Sequence, residues 1–215
     1  MNSKLREIPL TALARTESAA PVAARIGPNA LIQTLVAMQA MLPDSAVAAT
    51  LELAGETALL AGFPQSMVDE SRFIALVGAL RRNVAPELAA AVLGRAGHLT
   101  GEYVLANRIP PLARRVLPRL PRRLALGLLL KAIGAHAWTF AGAGRFDWHM
   151  AARGAELRLG ACPTARGVAL DRPGCDYYRA CFEVLLTRLV DPRLRVLETA
   201  CAAHGAALCR FDACW

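Results

Sequence analysis

Residues 175–209 read CDYYRACFEVLLTRLVDPRLRVLETACAAHGAALC. The architecture turns on how that stretch is parsed. Pro173 and Gly174 break the chain just before it. Tyr178, Phe182 and Leu186, with Cys181, Leu185 and Leu189, form two i, i+4 rows that merge into one broad apolar face. A helix therefore starts at Cys175. Asp191-Pro192 ends it, because the residue before a proline is pushed out of the α region. Residues 194–200 and 206–211 then read as two short strands, with Ala203-His204-Gly205 as the turn region.

This parse places chemistry. Cys175 sits at a helix N-terminus, where backbone N–H groups favour a thiolate. Glu198, Cys201 and Cys209 follow in the hairpin. Three thiols and one carboxylate make a tetrahedral Zn²⁺ set, since thiolate is a preferred ligand and carboxylate an accepted one. The metal would pin the helix start to the hairpin. Glu198 and Cys201 are three residues apart, so a regular strand would point them to opposite faces. A bulge or an early turn must re-aim one of them. The alternative is that these are buried free cysteines, a common fate for the residue.

The order Cys175, then Glu198-x-x-Cys201, then Cys209 after seven intervening residues, with Gly205 in the hairpin turn, resembles the 4-vinyl reductase domain. That resemblance implies Cys175, Glu198, Cys201 and Cys209 as ligands of a structural zinc. Length, the GRFDW segment and the Leu/Arg-rich middle are similar to the members of that family found in bacteriochlorophyll biosynthesis of purple photosynthetic bacteria. The resemblance implies an α/β fold: N-terminal helices packed on a small antiparallel sheet, with a zinc-pinned C-terminal helix and hairpin. It also implies a homodimer and a role around reduction of the 8-vinyl group of a divinyl chlorophyllide-type pigment.

Composition sets bounds. At 215 residues, 55% hydrophobic and a mean hydropathy of +0.34, the chain buries a real core and is not of the disordered class. The N-terminal MNSKLREIPL lacks a continuous apolar run, and six cysteines without an export signal point to a reducing cytoplasm. Cys162, Cys181 and Cys214 fall outside the ligand pattern and read as packing or exposed thiols. Residues 1–107 hold 8 basic and 9 acidic side chains, whereas 108–215 hold 17 and 8. The basic field belongs to the second half, which admits an anionic membrane surface or an acidic small molecule as partner.

Residues 1–27 read as an arm and 28–215 as a single domain, helical over 28–135, with the sheet and metal site over 136–215. Helices are expected from Pro28 to Pro43, over 45–54 with Asp44 as cap and Gly55 as stop, over 66–82, and from Pro86 to Arg108. Gly94, Gly97 and Gly101 lie at helical spacing on the last of these and mark close approach of another element. His98, among them, reads as a surface or core-edge residue. Over 108–123 four prolines and six arginines form a broken basic stretch. It is either a solvated loop or a peripheral contact with phosphate or lipid headgroups at the inner membrane. Nucleic acid is not expected, because no aromatics interleave with the arginines. An apolar helix follows from Leu124 to His136.

The run His136-A-Trp138-T-Phe140-AGAG-Arg145-Phe146-D-Trp148-His149 holds four of the twelve aromatics and two of the four histidines. Alternation over 136–140 suggests a strand entry, and 142–144 a tight turn. Large rings suit a planar ligand, a histidine can supply an axial nitrogen to the Mg²⁺ of a tetrapyrrole, and Arg145 can meet a propionate. The same rings equally suit ordinary core between helix and sheet. No nicotinamide, flavin or iron–sulfur motif is present. The expected activity is therefore to bind a Mg-tetrapyrrole intermediate and assist vinyl reduction, or hand the pigment to other enzymes of the pathway. An NADPH-dependent reductase and a dimeric scaffold are the alternatives.

Overall fold

Proline and glycine punctuate the helical half where steric rules require. The computed structural model describes residues 24–215. In chain order it contains β1 (Arg25–Ile26), α1 (Asn29–Met41), α2 (Asp44–Ala54), β2 (Val68–Asp69), α3 (Glu70–Asn83), α4 (Pro86–Asn107), α5 (Pro111–Val116), α6 (Arg122–Ala135), β3 (Arg145–Ala151), β4 (Gly154–Gly160), α7 (Asp176–Leu189), β5 (Arg195–Ala200) and β6 (Cys209–Cys214). Pro28 precedes α1, Pro86 opens α4, and Gly55 closes α2 in the left-handed conformation.

Four expectations are corrected. Residues 1–23 of the expected arm lie outside the described residues, but its last four residues are part of the fold. β1 pairs antiparallel with β2, Ile26 is buried, and Gly27 N–H donates to Thr139 O at 2.7 Å. Two residues of pairing across forty positions leave no local pattern to read. Asp44 does not cap α2; Pro43 holds the cap position and Asp44 is already in the first turn. The third helix begins at Glu70 rather than Ser66, because Asp69 caps it by accepting from Ser71 N–H at 2.8 Å. Residues 136–140 are not a strand: His136 ends α6, and a 3₁₀ turn spans Ala137–Thr139. The strand starts at Arg145, after the predicted turn.

The main sheet has the order β3-β4-β6-β5, antiparallel throughout. Period-two alternation turns Leu157, Leu159, Cys209, Phe211 and Ala213 inward. Phe182 of α7 meets Phe211 edge-to-face, with centroids 5.5 Å apart. Behind α7 lies α4, and here the glycine spacing is explained. A Cβ on Gly97 would sit 2.0 Å from Tyr177 O, and one on Gly101 would sit 2.8 Å from Val184 Cβ. Gly94 meets nothing within 4 Å. Two of the three glycines therefore let α4 and α7 touch backbone to backbone. The Tyr177 hydroxyl is satisfied by Thr100 Oγ1 at 3.0 Å within that contact.

A second tie fixes the segment before β3. Glu70, buried at the start of α3, accepts from Ala143 N–H at 2.9 Å and pairs with Arg166. Gly142, at φ +59°, leaves the room: a Cβ there would lie 1.7 Å from Glu70 Oε2. The predicted turn at 142–144 is thus clamped by a buried, charge-paired carboxylate.

Candidate metal centre and flanking surfaces

The donors expected from the sequence do converge. Cys175 lies immediately before α7, and its N–H donates to Glu198 Oε2 at 2.7 Å. Strand β5 carries an irregularity between Glu198 and Ala200, where Thr199 is the extra residue opposite β6. That bulge restores Glu198 and Cys201 to one side. Cys209 opens β6, and Ala202 N–H points at its sulfur at 3.4 Å. One donor atom from each of Cys175, Glu198, Cys201 and Cys209 lies within 4.8 Å of every other. The sulfurs are 3.2 Å (175–209), 3.7 Å (175–201) and 4.0 Å (201–209) apart. A tetrahedral zinc with Zn–S near 2.3 Å sets its sulfurs ~3.8 Å apart. The spacing is of that size.

Electrostatics also fit a cation. Glu198 Oε1 is buried with no hydrogen-bond partner, a costly state for a carboxylate oxygen unless something binds it. Burial pushes the Glu198 carboxyl up to about 8, against the pull of the Cys175 N–H. Hydrogen bonds to Cys162, Cys201 and Cys209 push the Cys175 thiol well up. Several anions cannot share this site unless a positive charge offsets them. The four residues can hold a metal with no further ligand, which makes a closed centre that fastens α7 to the β5–β6 hairpin.

Two participants are not visible from spacing. Cys162 is fully buried with its sulfur 3.5 Å from Cys175 Sγ and 3.3 Å from Thr164 Oγ1. Arg81 of α3 donates to Thr164 O and, at 2.6 Å, to Gly174 O. It thereby ties the Cys162 loop to the residue before Cys175. Both come from distant parts of the chain, and only their residue types could have pointed to them.

The aromatic run is divided by β3. Phe146 and Trp148 face inward; Arg145 and His149 face outward. Phe140 gathers Phe146, Tyr178 and Phe182 around it at 5.6–6.3 Å. Phe146 and Trp148 lie under Gly134 of α6, within 3.9 Å of where a side chain would begin. His149 instead meets Glu156 at 3.6 Å across the outer face. Trp138 is 61% exposed. His136 is exposed too, and its Nδ1 is 2.8 Å from Ala132 O. A carbonyl can only accept, so Nδ1 carries the proton and Nε2 keeps its lone pair.

The outer face of α6 leads directly to these two residues. Leu124, Leu128, Ala132 and Ala135 are exposed along it, with Lys131 as the one charged side chain among them. Nearby α5 exposes Leu112 and Val116. A solvent-facing helix side is ordinarily polar. Residues 103–146 contain eight basic side chains and no acidic one. No helix among the described residues is long and apolar enough to cross a membrane. Elsewhere, a small cleft of about 80 Å³ lies between Arg81, Pro86 and Asp176. An open groove of about 400 Å³ runs past Glu198, flanked by Arg172, Arg179 and Leu197.

Comparison with known proteins agrees with the metal-centre half of this description. The 4-vinyl reductase domain family matches residues 156–214, the span of β4, α7 and the hairpin. The chain is 40% identical over 191 residues to the bacteriochlorophyll synthase 23 kDa chain of Cereibacter sphaeroides, covering 89% of this chain and 91% of that one. It is 38% identical over 188 residues to the protein of the same name from Rhodobacter capsulatus, covering 87% and 85%. The chain therefore belongs to the family of the bacteriochlorophyll synthase 23 kDa chains, with a 4-vinyl reductase domain as its C-terminal part.

Proposed function

We propose that the protein binds a Mg-tetrapyrrole intermediate of bacteriochlorophyll biosynthesis, and assists reduction of its 8-vinyl group or passes the pigment to another protein of the pathway. The names of its relatives support the pathway. The observation that carries the binding chemistry is His136. Its Nδ1–H is held by Ala132 O, so Nε2 is oriented and free to ligate a magnesium axially. Beside it Trp138 offers a flat exposed ring. Arg145, exposed at the head of β3, supplies a guanidinium for a propionate. Phe140, Phe146 and Trp148 form the apolar support beneath.

The centre formed by Cys175, Glu198, Cys201 and Cys209 is read as a structural zinc. With four protein ligands it leaves no open position, so its part is to fix α7 and the hairpin rather than to polarise a substrate. The apolar outer face of α6, set in an acid-free basic segment, is read as a contact with an anionic membrane surface. Eight like charges disfavour a second copy of the same face there. Exposed leucines and tryptophan beside arginines match the chemistry of an interfacial helix. A pigment this apolar would be collected at such a surface.

The test is an absorbance titration of the metal-loaded protein with divinyl protochlorophyllide, for wild type and His136→Ala, without and with NADPH. A saturable spectral shift, weakened at least about tenfold by the substitution (~1.4 kcal/mol of binding) and indifferent to NADPH, supports a carrier. The absence of a shift with wild type overturns the proposal. Conversion to the monovinyl pigment would make the protein the reductase itself.

A further inference from the structure

The thiol of Cys162 is used by nothing described so far, yet it touches the metal centre. We propose that Cys162 is a reserve ligand. It stands on the buried side of the site and takes the metal when Glu198, on the solvent side, lets go. The centre then alternates between three thiolates with one carboxylate and four thiolates. This rests on the zinc reading.

Position is the first argument. Cys175 Sγ has three sulfur neighbours, Cys209 at 3.2 Å, Cys162 at 3.5 Å and Cys201 at 3.7 Å. Cys162 is as close to Cys175 as the two expected ligands are. A buried sulfur placed there only for packing would need no such neighbours. Its one other polar contact is the Thr164 hydroxyl, which can donate to a sulfur but does not compete for a metal.

The second argument is the asymmetry of the two candidates for the fourth position. Cys162 is 1% exposed. Glu198 borders the open groove of about 400 Å³, whose walls include Arg172 and Arg179. A carboxylate that leaves the metal toward that groove meets two guanidinium groups. A thiolate that approaches from the other side meets no solvent.

The third is that the Cys162 loop is held to the site rather than merely packed near it. Arg81 bridges Thr164 O and Gly174 O, and Arg166 donates to Ala161 O at 2.7 Å while pairing with Glu70. Ala161 adopts a φ of +47°, the one left-handed non-glycine residue among those described. Such a conformation persists only where its surroundings impose it. Here it turns the next residue, Cys162, toward Cys175.

The exchange balances within the site. The Zn–O bond to Glu198 breaks, the Zn–S bond to Cys162 forms, and the thiol proton of Cys162 moves to the released carboxylate. Both ligand sets carry four negative charges, so the charge of the centre does not change. The product is a protonated Glu198 at the groove and a metal that has never left.

The experiment uses the full chain loaded with Zn²⁺ or Co²⁺. Metal content is measured after dialysis, and the thiolate-to-cobalt charge-transfer band reports how many sulfurs are bound. Cys162→Ser is expected to keep one metal and the wild-type cobalt spectrum. Glu198→Ala is expected to keep one metal, with a stronger charge-transfer band. The double variant is expected to bind metal at least tenfold more weakly than either single one. Glu198→Asp, which keeps the charge but shortens the reach, provides the same comparison if the alanine variant misfolds. Metal loss in both Glu198 variants as complete as in the double variant overturns the proposal. So does a cobalt spectrum in them that ignores Cys162. Wild type without any bound metal would instead sink the zinc reading from which it starts.

Discussion

Replacing Gly97 by alanine tests whether α4 and α7 are in backbone contact, and Gly94 provides an internal control on the same helix. In the Gly97→Ala variant the added methyl would lie 2.0 Å from Tyr177 O, 2.7 Å from its carbonyl carbon and 2.9 Å from its Cα. All three are backbone atoms, so no side chain can swing away and the helices must part. Overpacking of this kind costs up to about 3 kcal/mol. Alanine returns roughly 1 kcal/mol of helix propensity over glycine. The net loss is therefore about 2 kcal/mol. For a chain of this size that is a drop in Tm of roughly 4–8 °C. Gly94 has open space at the same test, so Gly94→Ala keeps only the propensity gain, and Tm rises by roughly 2–4 °C. Thermal unfolding followed by circular dichroism reads both. Tyr177 is two residues from Cys175, so a parted helix pair should also surrender zinc faster to a chelator. A Gly97→Ala protein as stable as wild type, or a pair of variants shifting in the same direction, would falsify the crossing described here.

Other expectations follow from the same structure. Cys201→Ala should lose the metal on dialysis and melt well below wild type, and wild type stripped by a chelator should melt at a similarly lowered temperature; equal melting with and without metal would argue against a centre that fastens the fold. Trp138→Ala should leave stability within about 0.5 kcal/mol, because the side chain is 61% exposed, yet weaken pigment binding in the absorbance titration. The same substitution should weaken pelleting with anionic vesicles, but not with neutral ones. Asp191 accepts from Arg193 N–H, the Arg193 guanidinium and Arg122, and these hold its carboxyl well below the usual range. A depressed acid stabilises the fold above its unfolded value of 3.8 and loses that contribution as pH falls through the folded value. Asp191→Asn should therefore melt below wild type at pH 7, with the gap closing under acid. A constant gap from pH 7 to pH 2 would contradict that assignment.

What could be read from residues alone follows a physical division. Elements bounded by proline, glycine or a strong apolar period were legible: α1, α2, α4, α7 and the last hairpin have local causes. The four ligands were legible because metal binding restricts residue type and spacing together. The bulge at Thr199 was legible as a requirement, since Glu198 and Cys201 cannot otherwise share a partner. Long-range partners were hidden. β1 is two residues pairing with β2, His136 to Phe140 alternates like a strand but closes α6, and Cys162 reaches the centre through ties from Arg81 and Thr164. The aromatic run showed which residues were unusual, but not that β3 would send them to opposite faces.

The bulge in β5 has a consequence for how this chain tolerates change in length. Side-chain direction along a strand is a matter of odd and even, and Thr199 is the one residue that makes an odd interval behave as an even one. Deleting Thr199 should therefore be unusually mild: Glu198 and the following cysteine would stand two apart in a regular strand, still facing the same way. Inserting one residue beside it should be severe, because parity is then lost and the carboxylate turns outward. In this hairpin the shorter sequence is the safer error.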